Sequence, residues 1–304
     1  MWLVTGGAGY IGSHVLLKMK EAGFALVTLD NLSSGLVKRI PSGVNLVEGD
    51  ICDSDLVSRV LKENHIEGII NLAALKSVEE SKRIPDEYER INHLGTKILV
   101  DCAILAGVKI FIQSSTAAVY GNSESGFVSE TSELNPISPY GQSKVFAEKE
   151  VERFVQGDGR RGTSLRYFNV LGSDSPVLKD NSKANIVPMV LEALTKGAPP
   201  EIFGDDYLTK DGTCIRDYIH ILDLAQAHIL ALKSEKSDFY NLGTGGGTSV
   251  REVIETCKKI TGSDIKAIEK PRRAGDPPRL IAASDKIRRE LGWVPRFENI
   301  QTIV

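Results

Sequence analysis

Tyr140-Gly-Gln-Ser-Lys144 places a phenol and an ammonium four residues apart. On a helix, residues at that spacing share one face. A tyrosine in water ionises near pH ~10, too high for a general base working near neutrality. A neighbouring positive charge favours the phenolate and lowers that value. The pair therefore reads as a catalytic base, Tyr140, with its own activator, Lys144. Upstream, Phe111-Ile-Gln-Ser-Ser-Thr116-Ala-Ala-Val-Tyr-Gly121 is an apolar run that enters a cluster of hydroxyls. Thr116 can hold a substrate oxygen while Tyr140 moves its proton, provided the fold brings the two together. A hydroxyl cluster after a strand also serves as a turn or helix cap.

A second chemical feature opens the chain. The apolar run Trp2–Thr5 is followed at once by Gly6-Gly7-Ala8-Gly9-Tyr10-Ile11-Gly12, and then by a helical stretch from Ser13 to Ala22. Strand, glycine-rich turn and helix in that order is the context of a dinucleotide site. The glycines let backbone approach a pyrophosphate, and the helix amino terminus offers free N–H groups and a favourable dipole. Gly6, Gly9, Tyr10, Ile11 and Gly12 are the expected contacts. The next strand, Ala25 to Asp30, ends in an acid. Asp30 can accept from both ribose hydroxyls and would repel a 2′-phosphate, so the expected cofactor is NAD, with Asn31 beside it.

The elements that must position these residues alternate. Strands are expected at Trp2–Thr5, Ala25–Asp30, Asn45–Glu48, Gly68–Leu72, Lys109–Gln113 and Gly162–Tyr167, with helices between them. That pattern predicts an α/β fold with a doubly wound, Rossmann-like parallel sheet. Ligands in such sheets bind at the carboxyl ends of the strands. Gly6, Asp30, Asp50, Ala73, Thr116 and Phe168 all fall at those ends. Leu72, Ala73 and Ala74 are small or apolar enough for a dinucleotide to lie against the backbone, and Lys76 can meet a phosphate or a sugar. Beyond Gly172 the elements shorten and prolines punctuate them. The expected division is a cofactor domain over 1–172, to which segments around 214–245 return, and a smaller mixed α/β substrate-binding lobe over 173–304. His220 to Lys233 is expected to be a returning helix. The last apolar run leads toward a helix whose Ile300 and Val304 would need a cover.

Composition narrows the class. The 304 residues are 41% hydrophobic and 25% charged, which supports a sizeable core. A net charge of −3 gives no long-range pull toward nucleic acid or an anionic membrane. An anionic ligand must then be met locally, by residues such as Arg216 and Arg273. Cys52, Cys102, Cys214 and Cys257 have neither metal-ligand spacing nor a disulfide framework, and reduced thiols in a cytoplasmic protein are expected. The five histidines show no mutual spacing for a metal and are read as structural, so no metal is expected. There is no apolar run long enough to span a membrane.

Together these motifs resemble the extended short-chain dehydrogenase/reductase family over nearly the whole chain, and within it the UDP-glucose 4-epimerases, also called UDP-galactose 4-epimerases. Arg166-Tyr-Phe-Asn-Val-Leu-Gly172 is similar to the family's substrate-entry motif. Ile202-Phe-Gly-Asp-Asp-Tyr207 through Asp211-Gly-Thr-Cys-Ile-Arg-Asp-Tyr-Ile-His220 is similar to the epimerase signature, and Arg272-Arg-Ala-Gly-Asp276 to its diphosphate and ribose clamp. The resemblance implies that Asp50 and Ile51 flank the adenine, and that Asn92, Tyr167 and Phe168 lie on the cofactor side. It implies that Asn169 and Asn185 hold the nucleotide diphosphate. Ile202 and Phe203 fall in the stretch that sandwiches the uracil, and Tyr218 follows Arg216 as in the family. Arg216 and Arg273 then bind phosphate oxygens, for which guanidinium forks are suited, and Asp276 accepts from ribose hydroxyls.

Dehydratases of this family carry an Asp-Glu pair after the threonine. Here Ala117 and Ala118 occupy those positions, which suits oxidation and re-reduction at one carbon and does not suit elimination. The implied activity is interconversion of UDP-glucose and UDP-galactose through a 4-keto sugar, with NAD retained and a homodimer expected by analogy. A UDP-pentose, UDP-glucuronate or UDP-N-acetylglucosamine substrate remains an alternative, and a non-catalytic NAD-sensing module is a more distant one. Leu280 stands where some epimerases carry a bulky tyrosine, which leaves room for an N-acetyl sugar.

Overall fold

Short runs of Val, Ile, Leu and Thr pair into one parallel sheet. A computed structural model describes residues 1–123, 125–182, 184–273 and 275–304. The sheet strands are β1 (Trp2–Thr5), β2 (Leu26–Asp30), β3 (Asn45–Glu48), β4 (Gly68–Asn71), β5 (Ile110–Thr116), β6 (Arg161–Tyr167) and β7 (Asp238–Leu242). Their spatial order is β7-β6-β5-β4-β1-β2-β3, and each neighbouring pair is parallel. The order reverses beside β1, which is where such sheets bind ligands.

Side chains alternate between the faces of a strand. Leu3, Val27, Leu29, Ile69 and Phe111 point to one side. There they meet Val57, Val60 and Leu61 of the Ser54–Glu63 helix, Leu99 and Val100 of the Gly95–Leu105 helix, and Val151 and Phe154 of the Pro139–Phe154 helix. Val4, Ile70, Ile112 and Leu165 point to the other side, onto Val15, Leu16 and Met19 of the Tyr10–Glu21 helix and Leu224 and Ala227 of the Ile221–Lys233 helix. Burial on both faces explains why these strands read as continuous apolar runs.

Two boundaries matter to the site. Strand β5 continues through Ser114, Ser115 and Thr116, beyond the expected end at Gln113, because these residues stay in register with Leu165, Arg166 and Tyr167 of β6. The first helix begins at Tyr10, earlier than the expected Ser13. Strand β7 was not among the expected six; it comes from the 214–245 stretch and pairs with β6.

The later chain, joined by Phe127–Val128 from the first half, forms a four-stranded mixed sheet with Thr248–Ser249, Ile215–Arg216 and Arg279–Ala282. A third apolar cluster includes Val187, Val190, Ile202, Tyr218, Val253, Ile254, Ile300 and Ile303. Ile300, expected to need a cover, is buried in that cluster, because the Ile300–Ile303 helix folds back onto the Val250–Thr261 helix. No helix among the described residues is long and apolar enough to cross a membrane.

Candidate active site

The glycines of the first turn make a cradle that side chains would fill. Gly6 has φ +70, a left-handed conformation that favours glycine, and a Cβ there would come within 2.7 Å of the Ala73 backbone nitrogen. A Cβ on Gly12 would sit 2.1 Å from the Gly6 carbonyl oxygen. Gly9 is the N-cap of the Tyr10–Glu21 helix and supplies no side-chain cap. The first-turn N–H groups therefore have no intrahelical acceptor and stand at the mouth of a cavity of about 380 Å³.

Gly6, Gly9, Tyr10, Ile11, Gly12, Asp30, Asn31, Asp50, Ile51, Leu72, Ala73, Ala74, Lys76, Tyr140, Lys144 and Tyr167 all line this one cavity, at the carboxyl ends of β1 to β6. Asp30 accepts from the Ala8 and Leu32 backbone N–H groups at 2.9 Å each, which fixes its carboxylate at the strand end. Asn31 turns back to accept from the Ser33 N–H and hydroxyl. Asp50 accepts from the Cys52 N–H at 2.9 Å. Tyr10 donates its phenol to the Gly172 carbonyl at 2.6 Å, and so ties the first helix to the later chain. Tyr167 and His228 join at 2.7 Å behind the cavity.

At the inner end, one helix face meets one strand end. Ser138 caps the Pro139–Phe154 helix by accepting from the Gly141 N–H at 3.1 Å, with Pro139 in the first turn. Tyr140, Lys144 and Glu148 recur every four residues and form a stripe. Each meets a hydroxyl residue of β5. The Thr116 hydroxyl faces the Tyr140 phenol oxygen. Lys144 donates to the Ser114 carbonyl at 3.0 Å and to its hydroxyl at 3.2 Å. The Ser115 hydroxyl donates to Glu148 at 2.5 Å. Arg166 of β6 clamps Glu148 with two N–H groups at 2.9 and 2.7 Å, and both side chains of this pair are at most 3% exposed. Thr116 also accepts from the Ala118 N–H at 3.2 Å, so it is at once a turn cap and a partner of the base.

The electrostatics differ from the expectation at Tyr140. Burial raises its pKa and the Thr116 contact opposes the rise. The Lys144 ammonium is held by its two bonds to Ser114. Burial moves Lys144 the other way, down to about 8, with Glu148 opposing.

The substrate-side residues divide into two groups. Arg216 pairs with Asp276 and Arg273 with Phe203, and none of the four lines the cavity. Arg216 donates to the Pro277 carbonyl at 2.7 Å and lies 3.4 Å from the Asp276 carboxylate. The Arg273 guanidinium stacks 3.9 Å above the Phe203 ring. Ala274 of the same motif lies outside the described residues. Asn169 donates to the Asp217 carbonyl and Asn185 to the Asp180 carboxylate. Ile202 and Tyr218 are outside both pairs. They are 1% and 3% exposed within the third apolar cluster, so their side chains support the site from behind. Phe168 likewise packs with Ala117, Val119 and Tyr120 and is not in the cavity wall. Asn92 is a brace: its amide accepts from the Leu75 N–H and donates to the Leu75 carbonyl and the Ser143 hydroxyl, which locks the loop after β4 to the catalytic helix.

Sequence reasoning missed Ser114, Glu148, Arg39 and the Asp180–Ser182 segment. Glu148 was legible as the next residue of the Tyr140/Lys144 stripe. Asp180 to Ser182 reach the cavity from far along the chain and left no local signal. Among the described residues no group of His, Cys, Asp and Glu could hold a metal.

Known proteins resemble this chain along nearly its whole length. A UDP-glucose 4-epimerase of Azospirillum brasilense is 43% identical over 310 residues, covering 99% of this chain and 89% of that protein. A crystal structure of a UDP-glucose 4-epimerase superposes with a TM-score of 0.95 at 40% identity, covering 99% of this chain and 94% of that one. A UDP-glucose 4-epimerase from Stenotrophomonas maltophila, with bound NAD and formylated UDP-arabinopyranose, superposes at 0.94 with 34% identity, covering 99% and 95%. Residues 2–243, which carry the cradle, the Tyr140 stripe and Arg216, match one family, and this chain belongs to the NAD dependent epimerase/dehydratase family.

Proposed function

We propose that this chain is an NAD-dependent epimerase that interconverts UDP-glucose and UDP-galactose through a 4-keto sugar. The carrying observation is the Tyr140–Thr116 contact at the inner end of the cavity, with alanine at both positions where elimination would need acids. The cavity fits a dinucleotide on its own features: a cradle that a Cβ at Gly6 or Gly12 would fill, an uncapped helix terminus, and a fixed carboxylate at Asp30. Gly9, Tyr10, Ile11 and Gly12 would hold the diphosphate, Asp30 the adenosine ribose, and Asp50 and Ile51 the adenine side. Bound NAD supplies the hydride acceptor and donor for C4 of the hexose and, in its oxidised form, a positive charge that favours the phenolate.

The chain's own residues do the rest. Tyr140 takes the proton of the sugar 4-hydroxyl at its phenol oxygen while Thr116 holds that oxygen in place, and it returns the proton on re-reduction. Lys144 holds the ribose end of the cofactor from its seat on Ser114. Arg216 and Arg273 grip the UDP diphosphate, Asp276 its ribose, and Phe203 its base. Firm binding of UDP with a loosely held sugar lets the keto sugar turn before the hydride returns to its other face. Ala117 and Ala118 leave room for that turn. Leu280 is partly buried against the cluster that holds Ala117 and Phe168, and its leucine, smaller than a tyrosine, is the basis for expecting a UDP-N-acetylhexosamine to be accepted as well.

The four unpaired thiols are in keeping with a cytoplasmic enzyme, and a homodimer built on the Gly95–Leu105 and Pro139–Phe154 helices is expected, checked by light scattering. The deciding experiment is incubation with UDP-glucose, without added NAD, followed by separation of UDP-galactose. Product is expected; none, even after NAD is supplied, would overturn the reading.

A further inference from the structure

A buried positive charge lines the cavity without an ion pair among the described residues. Arg39 closes the short turn Val37–Arg39 that follows β2, is 5% exposed, and lines the same cavity as Gly9, Tyr10 and Gly12. One terminal nitrogen donates to the Lys179 carbonyl at 2.6 Å, which fixes the guanidinium against the far rim. The Nε has no partner. Among the described residues Arg39 makes no ion pair. A buried charge is costly unless it is paired and hydrogen-bonded.

The neighbourhood says what the missing partner is. Arg39 is close enough to the Tyr10 phenol to act on it electrostatically, and Tyr10 opens the uncapped helix. Helix terminus and guanidinium therefore present two positive features to one space. The nearby carboxylate, Asp180, lines the same cavity and acts on the same phenol, but it accepts from the Ser182 N–H and the Asn185 amide and makes no ion pair with Arg39. The space thus calls for a ligand with concentrated negative charge and oxygens that can accept from a planar fork, which is the chemistry of a diphosphate.

We propose that Arg39 is a cofactor-binding residue whose second terminal nitrogen, the one not engaged by Lys179, donates to a diphosphate oxygen of the bound dinucleotide. This rests on the NAD reading above. A charge-assisted bond of this kind sets affinity by roughly 10- to 100-fold.

The test is calorimetric titration of the nucleotide-free full chain with ADP-ribose, adenosine and UDP, in wild type and Arg39→Met. The expected result is a 10- to 100-fold loss for ADP-ribose, with adenosine and UDP unchanged. Equal weakening of ADP-ribose and adenosine would make Arg39 a wall residue and overturn the proposal, as would unchanged ADP-ribose affinity or a loss confined to UDP. Should Arg39→Met fail to fold, Arg39→Gln, which keeps a donor for Lys179 and removes the charge, is read the same way. If wild type binds ADP-ribose and the variants match it, only the Arg39 proposal falls. If wild type binds neither NAD nor ADP-ribose, the cofactor reading falls and takes the proposal with it.

Discussion

Replacing Lys144 by methionine should make the nucleotide-free protein more stable at neutral pH while destroying its activity. Lys144 is 3% exposed, and burial brings its pKa from 10.5 down to about 8. The folded value lies below the unfolded one, so between about pH 8 and 10.5 the unfolded chain holds the extra proton and stability rises with pH. Below that window the wild-type fold carries the whole penalty of the buried ammonium, about 3 kcal/mol at 1.36 kcal/mol per pH unit. Methionine fills nearly the same volume without the charge but forfeits the two bonds to Ser114, each contributing about 1 kcal/mol. The net expectation is a gain of about 1 kcal/mol for Lys144→Met near pH 7. Wild type should recover about 2 kcal/mol relative to the variant by pH 9.5. Urea unfolding of both proteins at pH 7, 8.5 and 9.5 reads this, and the difference between them isolates Lys144 from other titrating groups. A difference that stays constant with pH, or one that grows in favour of the variant, would refute the reasoning.

Three further outcomes are expected. Tyr140→Phe should fold normally and keep its cofactor, yet lose about 10²- to 10⁴-fold in turnover; a steady-state assay checks this, and near-normal turnover would remove Tyr140 as the base. Gly12→Ala pushes a methyl group to within 2.1 Å of the Gly6 carbonyl oxygen, and should cost about 1–3 kcal/mol and abolish NAD retention, read by thermal melting and by the nucleotide absorbance of the purified protein. Arg166→Met strands the Glu148 carboxylate in the interior and should cost about 3–5 kcal/mol, whereas Arg166→Met with Glu148→Gln should recover part of that loss in denaturant unfolding; no recovery would mean that the pair is not coupled.

The sequence by itself determined the parallel sheet and its cofactor end. Strand periodicity, the glycine cradle and Asp30 are local features, and local physics places them: only glycine tolerates the φ at Gly6 and the close approach at Gly12. The Tyr140/Lys144 face followed from helical spacing alone. Other features had to wait for the tertiary structure, because they depend on which surfaces meet. Strand β7 depends on a pairing with β6, far earlier in the chain. Ile202 and Tyr218 sit in a signature-like stretch, but the packing of the Val250–Thr261 and Ile300–Ile303 helices turned their side chains into core. The pKa directions of Tyr140 and Lys144 are set first by burial, which no spacing rule encodes. Arg39 carries no motif at all: its burial and its bond to the Lys179 carbonyl depend on a contact 140 residues along the chain.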